Sequence, residues 1–226
     1  MSEPEQLTIK VNDTDSVTAL LYPATKKTKT GTTIILGHGA GANQLSGFMR
    51  LFASGLAERG LDVVTFNFIY TELGRGAPDP KPKLEACYRA VIDAAAKHRK
   101  LKGNDLLIGG KSMGGRIASQ VAAAGDERIK GLVFLGYPLH PPGQPQKLRT
   151  DHWPSIKAQM LFVQGTRDSL GTPEEIKPFL KKLKLKAEIY VIETGDHSFK
   201  VQKSAGVAQD VVYERVMDKI VEWSRQ

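Results

Sequence analysis

Gly110-Lys111-Ser112-Met113-Gly114 is the stretch of this sequence that decides the fold. A G-x-S-x-G pentapeptide between a buried strand and a helix places a serine on a sharp turn, where its hydroxyl can act as a nucleophile. The preceding residues 105–109 form a short apolar run, which is typical of a strand buried on both faces of a parallel sheet. The following residues 116–124 are rich in alanine, which favours a helix. This context predicts a nucleophilic Ser112 on a strand-to-helix turn.

The same residues partly match a phosphate-binding loop, G-x-x-x-x-G-K-[ST], which would place Lys111 on the phosphates of a nucleotide. The first glycine of that motif falls on Asp105, and residues 106–108 are apolar where the motif needs a loop. The sequence therefore argues against a nucleotide-binding loop. A strand-to-helix turn of small residues without any chemistry remains the alternative.

The composition predicts a globular protein with one domain, residues 1–226. Hydrophobic residues make up 41% and charged residues 25% of the chain, and no apolar run is long enough to span a bilayer. The start, Met1 to Gln6, is polar and lacks the apolar segment of a secretory leader, so we expect a cytoplasmic protein. The single cysteine, Cys87, excludes an internal disulfide, and its helical spacing predicts that it lies in the core.

The net charge of +8 raises the question of a nucleic-acid partner. The lysines and arginines are spread over short clusters at residues 26–29, 97–100 and 181–186, without interleaved aromatic residues that could stack on bases. Such clusters are typical of solvated turns and helix ends. The sequence therefore does not predict nucleic-acid binding.

Strand-like and helical runs alternate along most of the chain. The strand-like runs are residues 7–11, 17–22, 33–36, 62–66, 105–109, 132–135, 160–163 and 188–192. The predicted helices cover residues 47–59, 82–100, 114–124, 173–184 and about 207–225. The first two strands are separated by turn residues and predict an antiparallel hairpin, whereas the later alternation predicts parallel strands joined by crossover helices. Residues 138–154 are rich in proline and predict an irregular excursion rather than a helical lid.

This order of elements resembles the α/β-hydrolase superfamily over nearly the whole chain. It is most similar to small members without a lid, such as dienelactone-hydrolase-like proteins and the domain shared by testis-expressed and chromatin-complex subunits. The motifs that carry the resemblance are Gly37-His38-Gly39-Ala40-Gly41-Ala42, Phe66-Asn67-Phe68, Gly74-Arg75-Gly76-Ala77-Pro78 and Gly109-Gly110-Lys111-Ser112-Met113-Gly114-Gly115-Arg116. The resemblance implies an eight-stranded, mostly parallel sheet with an antiparallel N-terminal hairpin, helices on both faces and no helical lid.

The resemblance also implies a catalytic triad in the chain order serine, acid, histidine. Asp168 follows the strand at residues 160–163 and is the predicted acid, although it could instead pair with Arg167 or cap the next helix. His197 follows the last strand and is the predicted base, since an imidazole must accept the serine proton and a carboxylate must orient it. Glu193 is the alternative acid. A surface position is the alternative for His197.

The remaining histidines are less suitable as the base. His98, His140 and His152 all precede Asp168, which is the wrong order for the triad. His38 precedes Ser112, and in the resembling proteins a histidine at this place organises the oxyanion loop. The predicted oxyanion donors are the backbone amides of Met113 and Ala40, because glycines beside Ala40 allow the backbone to approach a substrate carbonyl. A glycine-rich turn without a ligand is the alternative.

The sequence thus predicts a serine hydrolase that acts on small esters, thioesters or lactones without a metal or organic cofactor. The predicted substrate-contacting residues lie near strand ends or in the excursion: Phe68, Tyr70, Tyr137, Leu139, Trp153, Leu170 and Phe199. Each aromatic residue is equally consistent with a place in the core. Lys111 and Arg75 are candidates to attract an anionic substrate or to have structural roles. A non-catalytic interaction module with the same fold is the alternative function.

Overall fold

Eight strands form one sheet in the computed structural model, which describes residues 3–25, 27 and 29–226. The strands are β1 (Glu5–Lys10), β2 (Ser16–Tyr22), β3 (Thr32–Gly37), β4 (Asp62–Phe66), β5 (Asp105–Lys111), β6 (Ile129–Leu135), β7 (Gln159–Gly165) and β8 (Ala187–Ile192). Their order in the sheet is β1-β2-β4-β3-β5-β6-β7-β8. β2 pairs antiparallel with β1 and β4, and all other pairs are parallel, which confirms the predicted sheet.

Helices cover both faces of the sheet because its central strands are apolar on both sides. The α-helices are α1 (Gly47–Glu58), α2 (Ile69–Glu72), α3 (Lys81–Lys97), α4 (Met113–Ala123), α5 (Pro173–Leu183) and α6 (Gln209–Trp223). One core lies between the sheet and α3, α4 and α5, and a second lies between the sheet and α1 and α6. Cys87 is buried in the first core as predicted, and burial raises the pKa of its thiol to about 12.

The helices and the excursion between β6 and β7 largely follow the sequence predictions. The five long predicted helices are present with shifts of a few residues at their ends, whereas the four-residue helix α2 was not predicted. The excursion between β6 and β7 contains only a short 3-10 helix, Trp153–Ser155, and no α-helix covers the sheet edge there. The absence of a helical lid is therefore confirmed.

The strand order reverses at β3, because the next two strands of the chain lie on opposite sides of it. β4 lies on one side of β3 and β5 on the other, and Gly37 and Gly110 are paired neighbours at the carboxyl ends of β3 and β5. In open α/β sheets a ligand crevice forms where the strand order reverses in this way. The loop after β3 and the turn after β5 therefore leave the sheet side by side.

No helix in the described part of the chain is long and apolar enough to cross a membrane. Met1 and Ser2, which belong to the polar start of the sequence, lie outside the described residues. The same holds for Lys26 and Thr28 of the first basic cluster.

Candidate active site

Ser112 occupies a strained backbone conformation on the turn between β5 and α4. Its φ is 51° and its ψ is −114°, a combination that non-glycine residues rarely adopt. Its amide donates a hydrogen bond to the Leu135 carbonyl at 3.1 Å, and its carbonyl accepts one from the Arg116 amide at 3.0 Å. Hydrogen bonds to β6 and to the first turn of α4 therefore fix the strained backbone of Ser112.

Glycines at both ends of the pentapeptide allow this turn to approach β3. A Cβ atom added to Gly110 or Gly114 would overlap the carbonyl oxygen of Gly37, and both would lie 2.9 Å or less from other backbone atoms of Gly37. Gly110 also has a φ of +147°, which side chains disfavour. Both glycines of the motif are thus required by close backbone contact as well as by the turn.

Asp168 lies on the loop after β7 and is fully buried. One carboxylate oxygen, Oδ2, is 2.7 Å from His197 Nδ1 and accepts a second hydrogen bond from Gln164 Nε2 at 2.8 Å. The other oxygen accepts the Leu170 amide at 2.9 Å. The carboxylate is therefore fixed by a side chain of the strand and by the backbone of its own loop. Gln164 had no predicted role, although a polar residue at the end of an apolar strand was a visible signal.

His197 lies on the loop between β8 and α6, with its ring against the fully buried Asp168 side chain. A buried carboxylate accepts a hydrogen bond, so Nδ1 carries the proton of the neutral ring and Nε2 has a free lone pair. Nε2 is buried and has no hydrogen-bond partner among the described residues. The structure brings Asp168 and His197 together as predicted. Glu193 is exposed and forms no hydrogen bond or ion pair with His197, whose ring pairs with Asp168 instead.

The loop after β3 is fixed by His38, which is fully buried. Its Nε2 accepts the Phe68 amide at 3.2 Å, so its Nδ1 carries the proton and donates to the Gly39 carbonyl at 2.9 Å. Burial lowers the pKa of His38, and the hydrogen bond to Gly39 only partly opposes this. A neutral His38 therefore holds the backbone of Gly39 in a fixed direction.

This loop lies directly against the serine turn. A Cβ atom added to Gly39 would lie 3.6 Å from Ser112 Cβ, which is ordinary contact distance. Met113 is the first residue of α4, where backbone amides have no acceptor within the helix. The Ala40 amide likewise has no hydrogen-bond acceptor among the described residues. The two predicted oxyanion donors thus remain available for a ligand.

A cavity of about 370 Å³ opens at this edge of the sheet. Four of the predicted site residues line it, namely Ala40, Ser112, Met113 and Leu170. A larger hollow of about 610 Å³ lies around Lys130 and Lys186, at the amino ends of β6 and β7. It is on the opposite edge of the sheet and contains none of the predicted catalytic residues.

Most of the predicted substrate-contacting residues lie in the core instead. Six of them are fully buried and do not line the cavity: Phe68, Tyr70, Tyr137, Leu139, Trp153 and Phe199. Phe68 and Tyr70 pack against the His38 ring, with ring centroids 5.1 and 5.9 Å away. The large rings are buried because each one extends an apolar core beyond the end of a strand. Among the predicted contacts, only Leu170 borders the cavity.

Lys111 and Arg75 are both engaged by protein groups. The Arg75 guanidinium lies 2.7 Å from the Asp79 carboxylate and does not line the cavity. Lys111 Nζ donates to the His197 carbonyl at 2.6 Å and lies 5.7 Å from the centroid of the Phe48 ring. Burial lowers the pKa of Lys111 to about 8, although two nearby aspartates act in the opposite direction. Lys111 therefore ties the serine turn to the histidine loop.

We expect the free energy of unfolding to rise with pH above about 7.5 because of Lys111. The folded-state pKa of about 8 lies below the value of 10.5 expected for an unfolded lysine, so the unfolded chain binds more protons between these values. The free energy of unfolding should rise by about 1–2 kcal/mol between pH 7.5 and 9.5. Lys111→Met should remove this rise, as measured by urea denaturation at each pH.

The exposed Lys147 provides a control for this experiment. Lys147→Met should keep the pH dependence of the unaltered protein, because the Lys147 side chain is exposed to solvent in the folded protein and loses no hydration on folding. The same slope in Lys111→Met and in the unaltered protein would contradict a buried, perturbed Lys111.

The alpha/beta hydrolase domain family matches residues 30–225 of the chain, which include all three residues of the predicted triad. Solved structures with the same fold cover nearly all of the chain. A serine hydrolase without a lid from Xanthomonas campestris has a TM-score of 0.76 and 18% identity, over 99% of this chain and 96% of its own.

Two further similar structures come from other organisms. An esterase from Pyrococcus furiosus has a TM-score of 0.76 and 17% identity, over 99% of this chain and 90% of its own. A dienelactone hydrolase from Anabaena variabilis has a TM-score of 0.73 and 19% identity, over 96% of this chain and 97% of its own. At these identities the likeness shows the shared fold.

Proposed function

Because the chain belongs to the α/β-hydrolase domain family, we propose that it is a serine hydrolase that cleaves small esters, thioesters or lactones through an acyl-enzyme on Ser112. The observation that carries this proposal is the buried pair of Asp168 and His197, 2.7 Å apart, at the same sheet edge as the strained serine turn. A serine hydroxyl is a poor nucleophile unless a base accepts its proton. His197 is the only histidine of the described residues that is paired with a fully buried carboxylate.

The first half of the reaction forms the acyl-enzyme. His197 Nε2 accepts the proton of the Ser112 hydroxyl while the serine oxygen bonds to the substrate carbonyl carbon, and the carbonyl electron pair moves onto its oxygen. The amides of Met113 and Ala40 donate hydrogen bonds to this oxyanion, and Asp168 stabilises the charged imidazole. His197 then returns the proton to the leaving alcohol or thiol as its bond to carbon breaks.

The second half releases the acid. His197 accepts a proton from water, the hydroxide oxygen bonds to the acyl carbon, and the Ser112 oxygen leaves with the proton that His197 returns. A cavity of about 370 Å³ without a helical lid favours small substrates over long acyl chains. These steps require only residues of this chain, since each proton is passed between Ser112, His197, substrate and water.

A fluorophosphonate, which bonds to activated serines, tests this proposal directly. We expect the intact protein to gain the mass of one adduct and Ser112→Ala to gain none, because the reagent requires the nucleophile and its base. Trypsin cleaves after Lys111 and Arg116, so the adduct should be found on the five-residue peptide that contains Ser112. An unlabelled protein that also fails to hydrolyse p-nitrophenyl acetate would favour the non-catalytic module.

The chain offers a matched control in a second serine–histidine contact. Ser119 Oγ lies 2.7 Å from His152 Nε2, but Ser119 is fully buried, and burial together with Lys81 lowers the pKa of His152 to about 4. Ser119→Ala should therefore keep the adduct. Labelling that is lost in Ser119→Ala and kept in Ser112→Ala would overturn the assignment of the nucleophile.

A further inference from the structure

The cavity beside Ser112 is lined by an excess of positive charge. Lys81, Arg116 and Arg149 line it together with a single acidic residue, Asp79. Asp79 already accepts an ion pair from Arg75, which lies outside the lining. The cations in the cavity therefore exceed the negative charge that faces them.

The two arginines have no carboxylate partner among the described residues. Lys81 lies 3.5 Å from Glu85, but neither Arg116 nor Arg149 forms an ion pair in that part of the chain. Arg116 Nε is buried without a hydrogen-bond partner, and Arg149 reaches only the Pro138 carbonyl at 3.5 Å. Arg116 and Arg149 are both half-buried. Removing part of a guanidinium from water without a partner is unfavourable, so an unpaired, half-buried arginine at a cavity wall is a candidate ligand for an anion.

The charge of Arg116 also acts on Arg149 and on the neighbouring His152. Burial lowers the pKa of both Arg116 and Arg149, and the charge of Arg116 further lowers that of Arg149. Lys81 and Arg116 contribute to the low pKa of the neighbouring His152. Two like charges held close together without a counterion are stabilised when an anion binds between them. The unpaired guanidinium groups and the positive charge around them therefore both favour an anionic ligand.

Arg116 lies in the first turn of α4, four residues after Ser112, and its amide donates to the Ser112 carbonyl at 3.0 Å. A rise of about 6 Å separates residues four positions apart in a helix, so an anionic group on Arg116 would lie a few bonds from a carbonyl at Ser112. Arg149 approaches the same cavity from the excursion between β6 and β7. The guanidinium fork matches a carboxylate or phosphate through two parallel hydrogen bonds.

We propose that Arg116 and Arg149 bind an anionic group of the substrate, so that the enzyme cleaves acidic short-chain esters in preference to neutral ones. This inference rests on the proposed serine hydrolase activity and adds a substrate class to it. The monoester of a dicarboxylic acid with about four to six carbons has the required size and charge. The ester carbonyl would sit at Ser112 and the free carboxylate between the two arginines.

The test compares two methyl esters that differ in one group. Monomethyl glutarate carries the carboxylate, and methyl 5-amino-5-oxopentanoate carries an amide of nearly the same shape. We expect kcat/KM to favour the acid about 10- to 100-fold, since hydrogen bonds to charged groups are worth this factor. Arg116→Gln and Arg149→Gln should each reduce the ratio, and the double variant should bring it close to one. Methyl 4-phosphonobutanoate shows whether phosphorus oxyanions share the site.

Arg215→Gln is the control, because Arg215 is exposed on α6 and outside the cavity. It changes the net charge by the same amount as Arg116→Gln or Arg149→Gln. It should keep the ratio of kcat/KM for the acid to kcat/KM for the amide that the unaltered protein has. Equal kcat/KM for the acid and the amide would overturn the anion site while leaving the serine hydrolase proposal intact. The same ratio in the double variant as in the unaltered protein would overturn it too.

Binding to Ser112→Ala provides a readout that does not depend on hydrolysis. Calorimetric titration with monomethyl glutarate should give a Kd about 10- to 100-fold lower than that of Ser112→Ala combined with Arg116→Gln. If neither ester is hydrolysed, the proposed function fails and this titration alone decides on the anion site. An unchanged Kd in the combined variant would then overturn it.

Discussion

Asp168→Asn should lower kcat for a simple ester about 10⁴-fold, the loss expected when the acid of such a triad becomes an amide. Asp168 Oδ2 accepts hydrogen bonds from His197 and Gln164, and Oδ1 accepts one from the Leu170 amide, so a carboxamide with a single oxygen must turn its NH₂ toward a donor on one side. An amide NH₂ that faces the ring would favour the tautomer with the proton on Nε2. That tautomer cannot accept the serine proton, and no carboxylate would stabilise the imidazolium.

The value of KM should change much less than kcat. Asp168 is fully buried and does not line the cavity, so it acts through His197 rather than on the substrate. The rate of fluorophosphonate labelling should fall with kcat, because both reactions need the same proton transfer. Steady-state kinetics with p-nitrophenyl acetate and labelling followed by mass over time provide the two measurements.

Glu193→Gln is the matched control for the acid. Glu193 follows β8 and is the alternative acid in the sequence, but it is exposed and forms no hydrogen bond or ion pair with His197. We expect this variant to keep the activity of the unaltered protein. A loss below tenfold in Asp168→Asn, or the large loss in Glu193→Gln, would contradict the assignment of Asp168.

The sequence was sufficient for the features that depend on strand order. Buried strands are apolar runs bounded by turn residues, so the parallel sheet and the edge that carries Ser112 could be predicted. Asp168 and His197 could be placed because each follows a strand that ends at the same edge. Both loops start at that edge, and the 2.7 Å separation in the structure agrees with that placement.

The lining of the cavity could not be predicted in the same way. Loops have no alternation that tells which side of the chain is buried, so Phe68 and Phe199 could face either the core or the cavity. Arg116 and Arg149 are far apart in sequence, and the proline-rich excursion that carries Arg149 has no periodicity. The role of Lys111 likewise depends on the path of the histidine loop. Helix α2 is too short for a periodic pattern.

Gly114→Ala should destabilise the fold by about 3 kcal/mol or more, at the upper end of the range for overpacking in a core. Gly114 lies in the first turn of α4 and has no positive φ, so its backbone conformation is one that alanine can adopt. The expected loss is therefore steric. The added Cβ would overlap the carbonyl group of Gly37, whose backbone is fixed by pairing within the sheet. Such a loss is a large part of the 5–15 kcal/mol that stabilises a typical domain. Urea denaturation followed by fluorescence of the buried Trp153 and Trp223 measures it.

Gly47→Ala separates this steric effect from helix propensity. Gly47 begins α1, and an added Cβ would meet no atom within 4 Å. Alanine favours helices over glycine by up to about 1 kcal/mol, so the same substitution should leave the free energy of unfolding unchanged or slightly raised there. Opposite signs at the two helix starts would show that Gly114 is required by the approach of the serine turn to β3. Equal urea midpoints for Gly114→Ala and the unaltered protein would mean that the turn can move away from Gly37, and the fixed position of Ser112 would then need another cause.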